Sequence, residues 1–179
     1  DVLVEIDVGA KRCGIAPGVP AARLAKQIAD SPHLTFAGLQ AYQGSAQHVR
    51  KADTRRDQIV RAVEMVQETL RALRAAGLEA RIVGGGGTGT YEIEAASRVY
   101  NELQCGSYIF MDADYARNKR ADGGLFDVYE HALFICATVM SMPAPERAVV
   151  DAGLKTFSVD SGMPLAWKLP GALYHRPLD

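Results

Sequence analysis

Over the first two-thirds of the chain, strand-like and helix-like segments alternate without a break, and this alternation narrows the possible folds more than any other feature. "VLVEIDV" (residues 2–8) alternates apolar and acidic residues with the period of two expected of a strand with one polar face. After the Gly/Pro-punctuated loop "GAKRCGIAPGVP", the segment "AARLAKQIADS" places apolar residues at helical spacing just past Pro20. "LTFAGLQAYQG" reads as a second strand. A long amphipathic helix is predicted over about residues 54–76, with Gly77 as its stop signal. "EARIVG" is a third strand, followed by a glycine-rich loop, a helix over about residues 92–103 and a fourth strand in "GSYIFMDAD". This rhythm means parallel strands joined by right-handed crossovers, in a (β/α)8-type barrel or an open doubly wound sheet. Functional loops in both follow the C-terminal ends of strands, here after Val8, Tyr42, Val83 and Met111.

After Asp127 the rhythm changes. "HALFICATVMSM", "PAPE", "RAVVDAG" and "LKTFSVD" read as adjacent strands with a Pro-bearing turn, which is antiparallel β. The expected organisation is an α/β part over residues 1–128 and the start of a β part over residues 129–179. A formal net charge of -1 gives no electrostatic reason to expect a nucleic acid or an anionic membrane as partner. The longest apolar run, residues 132–140, is too short to span a bilayer, and no signal-peptide pattern opens the chain. Cys13, Cys105 and Cys136 fit neither a disulfide framework nor zinc spacing, so a reducing, cytoplasmic setting is expected. The chain opens directly on a strand and closes on the loop-like "GALYHRPLD", as an internal part of a longer protein would.

The candidate loops carry specific chemistry. In "IVGGGGTGT" the pattern G-x-G-x-x-G is met by Gly84, Gly86 and Gly89, but a run of four glycines satisfies it almost for free. A dinucleotide site would also want an acid near the end of the next strand, where Asp112 and Asp114 are candidates. A P-loop is excluded, because no Lys-Ser or Lys-Thr pair follows the glycines. What remains is an anion cradle of backbone N–H groups with the hydroxyls of Thr88 and Thr90, open to a nucleotide, a dinucleotide or a smaller cofactor. Arg12, in a Gly-flanked loop after the first strand, is a rigid donor for a phenolate or carboxylate, or else a solvated surface residue. Tyr42 ends a strand where an aromatic ring can lie against a planar cofactor. His48 is the only histidine in these loops and is a candidate general base, or else a surface side chain. Gly106 and Ser107 offer anion donors or a tight turn. "MDADYARNKRADGG", with Asp112, Asp114, Arg117, Lys119 and Arg120, reads as a solvated mixed-charge segment rather than a metal or base site.

In combination, "VEIDVGAKRCG", "FAGLQAYQGSAQH", "GGGGTGT", "LQCGSYIFMDADY" and "DAGLKTFSVDSG" resemble the D-threonine aldolase and D-3-hydroxyaspartate aldolase family of alanine-racemase-like, fold-type III enzymes. The resemblance implies a (β/α)8 barrel that binds pyridoxal 5′-phosphate (PLP). It implies that Arg12 contacts PLP near its O3′, that Tyr42 lies against the pyridine ring and that Gln104 falls near the pyridine nitrogen. Thr88, Gly106, Ser107 and Tyr108 then match the phosphate cradle, and His48 matches the base for the substrate's β-hydroxyl. The family's Schiff-base lysine sits in an "HAKTHK"-like context that none of these lysines shares, Lys11, Lys51, Lys119, Lys155 and Lys168 included. Its divalent-metal ligands, a His and an Asp, are also unmatched, since His175 and Asp179 lack that motif. The expectation is therefore an aldolase that needs PLP and a divalent ion, Mn or Mg, with the lysine and metal ligands outside this chain. It would act on D-3-hydroxy amino acids as a homodimer, without nucleic acid or membrane partners, and this chain alone would be inactive. Three alternatives stand beside it. One is a D-serine dehydratase-like lyase on the same scaffold, and another an NAD(P)-binding domain. The third, a small non-catalytic PLP barrel, is disfavoured by the strands after Ala132.

Overall fold

In the computed structural model, which describes residues 1–175, the first segment alternates as its sequence requires. Val4, Ile6 and Val8 are buried, while Glu5 and Asp7 are not. Its regular part is β1 (Val2–Glu5), extended by a parallel bridge between Ile6 and Ile15. α1 (Val19–Ala29) starts with Pro20 in its first turn, where a missing N–H costs nothing. β2 (Phe36–Gln40), α2 (Ala52–Ala75), β3 (Ile82–Gly85), α3 (Tyr91–Ser97) and β4 (Glu102–Leu103) follow. The four strands pair in parallel in the order β1-β2-β3-β4. α2 ends where Gly77 takes a positive φ of 74°. The Leu78 N–H then bonds Leu73 O (2.9 Å) and the Gly77 N–H bonds Arg74 O (3.0 Å), closing the orphaned carbonyls.

The helices cover one face of this sheet. Ala21, Ala22, Ala25 and Ile28 of α1 and Ala62, Val66 and Leu73 of α2 form one core with Val4, Ile6, Leu39, Ala41 and Val83. The alanines let α1 approach closely, and each fully buried Leu, such as Leu39 or Leu73, contributes roughly 1.5–3 kcal/mol. Thr69 of α2 is buried and accepts the Gly18 N–H (2.8 Å), which fixes where α1 begins. No helix among the described residues is long and apolar enough to cross a membrane.

Several expectations need correction. α3 does not run to Leu103: it stops at Ser97, with Arg98 in the left-handed region at φ 56°. Beyond it the Tyr100 hydroxyl bonds Ala41 O (3.1 Å), while Asn101 accepts the Val83 N–H (2.8 Å) and donates to Arg81 O (2.8 Å). These bonds draw the chain alongside β3, where Glu102–Leu103 pair as β4. The segment "GSYIFMDAD" is accordingly not a strand. Ser107–Ile109 form a 3-10 turn, and Tyr108, Ile109 and Phe110 are exposed. Gly106 and Ser107 therefore lie just past the C-terminal end of the fourth strand, the position expected of a functional loop. In the β part the described strands are β5 (Val139–Ala144) and β6 (Arg147–Val150), which pair antiparallel, and an isolated antiparallel bridge joins Leu165 to Leu173. "HALFICAT" and "LKTFSVD" are not strands, and the latter opens on a turn closed by Thr156 N–H to Gly153 O (2.9 Å).

Candidate active site

The loops after β1, β2, β3 and β4 meet at the C-terminal edge of the sheet. Behind β3, a side chain at Gly85 would strike the Tyr100 ring (2.5 Å) and Ala41 O (2.8 Å), so only glycine lets these groups close on the strand. Gly86 then turns the chain at φ 72°. A side chain at Gly87 would meet Gln47 Oε1 (2.4 Å) and the Tyr42 hydroxyl (2.9 Å). The glycine run thus brings the loop after β2 directly onto the loop after β3.

Gln47, buried, is the clamp between them. It donates to Thr90 Oγ1 (2.8 Å) and Gln43 O (3.2 Å) and accepts the Gly89 N–H (3.0 Å). Thr90 Oγ1 in turn donates to Glu94 Oε1 (2.8 Å), whereas Glu94 Oε2 is buried without a partner. Burial pushes the Glu94 carboxyl above the ordinary carboxylate range, against the bond from Thr90. The Thr90 hydroxyl and Gly89 N–H are therefore spent within the protein. Thr88 is different: it is buried, and its hydroxyl oxygen accepts the Tyr108 N–H (3.1 Å), joining the loops after β3 and β4. Among the described residues the N–H groups of Gly86, Thr88, Gly106 and Ser107 have no protein acceptor, and the space beside Gly106 is open.

Arg12 is exposed in the loop after β1. Asp7 shapes that loop by accepting the N–H groups of Gly9 (2.9 Å) and Lys11 (3.0 Å), and these bonds, Lys11 first, lower its carboxyl. Gln43 donates to Val8 O (3.0 Å) and ties the loop to its neighbour. Burial raises the Tyr42 phenol, and the Arg12 charge opposes it. Gln104 is locked in a reciprocal amide pair with Gln40, both bonds 2.8 Å.

His48 lies on the loop after β2 with its side chain about half exposed (47%). Its Nδ1 is 2.5 Å from Asp114 Oδ2, and its ring centroid is 4.7 Å from that of Tyr115. Asp114, at 12% exposure, is not the solvated acid expected from its segment. Its other oxygen pairs with Arg50, whose Nη1 also donates to Asp114 O (2.7 Å) and Asn118 Oδ1 (2.9 Å). Asp112 caps the same turn by accepting the N–H groups of Asp114 (2.9 Å) and Tyr115 (2.7 Å). Both acids thus sit in turns well past β4, and the dinucleotide pattern loses the strand-end acid it needs. Burial pushes the Tyr115 phenol up to about 12, with the Ser107 side chain acting against it. Tyr115 packs against His48 from the turn that follows the loop after β4.

Residues 1–114 match the alanine racemase N-terminal domain. The chain belongs to that family. Residues 132–175 also match a putative serine dehydratase domain. Within the alanine racemase N-terminal domain family, similarity falls in the D-threonine aldolase and 3-hydroxy-D-aspartate aldolase group. The chain is 50% identical over 180 residues to the 3-hydroxy-D-aspartate aldolase of Paracoccus denitrificans (strain Pd 1222), covering 99% of this chain and 46% of that protein. It is 47% identical over 174 residues to the D-threonine aldolase of an Arthrobacter species, covering 97% and 45%. The crystal structure of D-threonine aldolase from Filomicrobium marinum superposes with a TM-score of 0.93 at 51% identity, covering 100% of this chain and 48% of that one. The chain spans a little under half the length of these relatives. Its parallel sheet is accordingly part of the alanine racemase N-terminal barrel, with a small antiparallel part after it.

PLP is the cofactor this family implies, and the donor set fits its phosphate. Four acceptor-free N–H groups and the Thr88 and Ser107 hydroxyls lie on the loops after β3 and β4, with the Tyr42 hydroxyl against Gly87. Among the described residues no group of three or more His, Cys, Asp or Glu side chains is placed to hold a metal ion; Asp179 lies outside the described residues. The sequence pattern missed Gln47, Arg50 and Tyr115, and set Asp114 aside as a solvated acid. Arg50, two positions after the one candidate base, was the available hint that a carboxylate had to return there.

Proposed function

We propose that the protein carrying this chain is a PLP-dependent aldolase that cleaves D-3-hydroxy amino acids. D-threonine would give glycine and acetaldehyde, and D-3-hydroxyaspartate would give glycine and glyoxylate. The observation that carries this reading is the fixed position of His48, held by Asp114 and Tyr115 beside the loops of the phosphate donors. The similarity to two such aldolases supports it. Bound PLP would supply the electron sink for charge developing at Cα. Thr88, Gly106, Ser107 and Tyr108 would hold its phosphate, and Arg12, Tyr42 and Gln104, the last steadied by Gln40, would hold its ring. His48 takes the proton from the substrate's β-hydroxyl. As that oxygen becomes a carbonyl, the Cα–Cβ bond breaks and its electron pair stays on Cα. The Schiff-base lysine, a divalent ion with its ligands, and a homodimeric assembly belong to this reading through the family resemblance alone. The division at residues 128/129 belongs to it through the change of sequence rhythm after Asp127.

In the intact protein, His48→Ala is expected to retain PLP absorbance and to lose about 10²–10⁴-fold in D-threonine cleavage. Near-normal turnover would remove His48 from the mechanism. The match of residues 132–175 to a serine dehydratase domain favours one second reading, loss of the β-hydroxyl as water. Assaying glycine against a 2-oxo acid plus ammonia separates the two.

A further inference from the structure

We infer that Asp114 is a positioning residue that fixes the His48 imidazole in one tautomer, with hydrogen on Nδ1 and the bare lone pair on Nε2. Its value to catalysis rests on the role proposed for His48; its effect on the ring does not. Nδ1 lies 2.5 Å from Asp114 Oδ2, so Nδ1 is the ring nitrogen that faces the carboxylate. Arg50 holds the second oxygen and Arg117 Nη1 lies 4.0 Å from it, which leaves Oδ2 turned to the ring as the acceptor of this contact. The proton therefore belongs to Nδ1. A neutral imidazole carries one N–H, which leaves Nε2 free to take a proton and without a protein partner among the described residues.

The carboxylate cannot swing away. Arg50 holds its side chain and its backbone carbonyl at once, Asn118 accepts from the same guanidinium, and Asn118 Nδ2 donates to Gln47 O (2.8 Å) in the loop that carries His48. Tyr115, the next residue, lies against the ring and hinders its rotation. Loop anchoring alone would need only the Arg50 bonds. The contact to Nδ1 adds control of which nitrogen is basic, the role a buried carboxylate plays wherever a histidine works as a base.

The test is ¹⁵N NMR of the intact protein with labelled histidine, with and without PLP, alongside kinetics of Asp114→Asn. The wild-type His48 signals are expected to show a protonated Nδ1 and a bare Nε2 in both states. Asp114→Asn is expected to move the population toward the Nε2–H tautomer. It should also lower kcat about 10²–10⁴-fold, with KM for D-threonine and PLP absorbance little changed. A bare Nδ1 in the wild type overturns the inference without any variant, and so does an unchanged tautomer in Asp114→Asn. If His48→Ala stays active while the tautomer shifts as described, the fault lies with the proposed role of His48 and not with Asp114's hold on the ring.

Discussion

Glu94 occupies the least comfortable position of any acid near the glycine loop. It is 1% exposed, Thr90 serves one of its oxygens, and the other has no partner. Burial places its folded-state pKa above the unfolded value, so the folded protein holds this proton more tightly. Its contribution to stability is thus fully present below the ordinary carboxylate range and is lost as pH rises through the folded-state value. Glu94→Gln keeps an oxygen for the Thr90 hydroxyl and removes the charge that must be desolvated. The variant should unfold at a higher temperature than wild type at pH 8, by an amount on the order of 1 kcal/mol. The gain should shrink as pH falls toward 4.5 in a thermal melt series. A variant that is less stable at pH 8 would mean that Oε2 has a partner, and the carboxylate a task, in the intact protein.

The two long-reach elements end by opposite means. α2 closes on Gly77 in a backbone conformation glycine adopts freely, and that stop was legible in the sequence. α3 closes on Arg98, a side-chain-bearing residue at φ 56°, a conformation that costs non-glycine residues roughly 1–2 kcal/mol. Arg98→Gly should relieve that strain against the added freedom of the unfolded chain, for a net gain of about 0.5–1 kcal/mol in chemical denaturation at unchanged helix content. A loss would show that the Arg98 side chain earns its place through contacts elsewhere. The same residue explains why the helix read too long: no glycine, asparagine or proline marks the stop, and β4 has only two residues, too few for a period to show. β1, α1, β2, α2 and β3 were legible because each has one face on the shared core. In the site, Arg12, Tyr42, His48 and Thr88 were legible as lone chemical groups at strand ends. Asp114 was not, because its partner lies on another loop and only the fold's return from β4 to the β2 loop brings them together.

Across the whole molecule, stability is divided unevenly between the parallel sheet and the β part. Leu39 and Val83 lie under α1 and α2 at 0% and 3% exposure, so opening those strands breaks the main core. In β5 and β6, by contrast, Val139, Met140, Met142 and Val149 are 44–68% exposed, and no residue of either strand is buried. Of the segments that read as several adjacent strands, only parts of two form β5 and β6. Among the described residues this hairpin has no face packed on it, and a two-stranded hairpin without one is marginal in water. Hydrogen exchange on the 179-residue chain should therefore find amides of β5 and β6 exchanging nearly as fast as unfolded peptide. Those of β2 and β3 should open only with the core. If the hairpin amides are instead protected to the level of Leu39 and Val83, Val139 and Met142 are covered, by association of chains or by a rearranged β part, and dilution distinguishes the two: protection lost on dilution is intermolecular, and protection retained is internal.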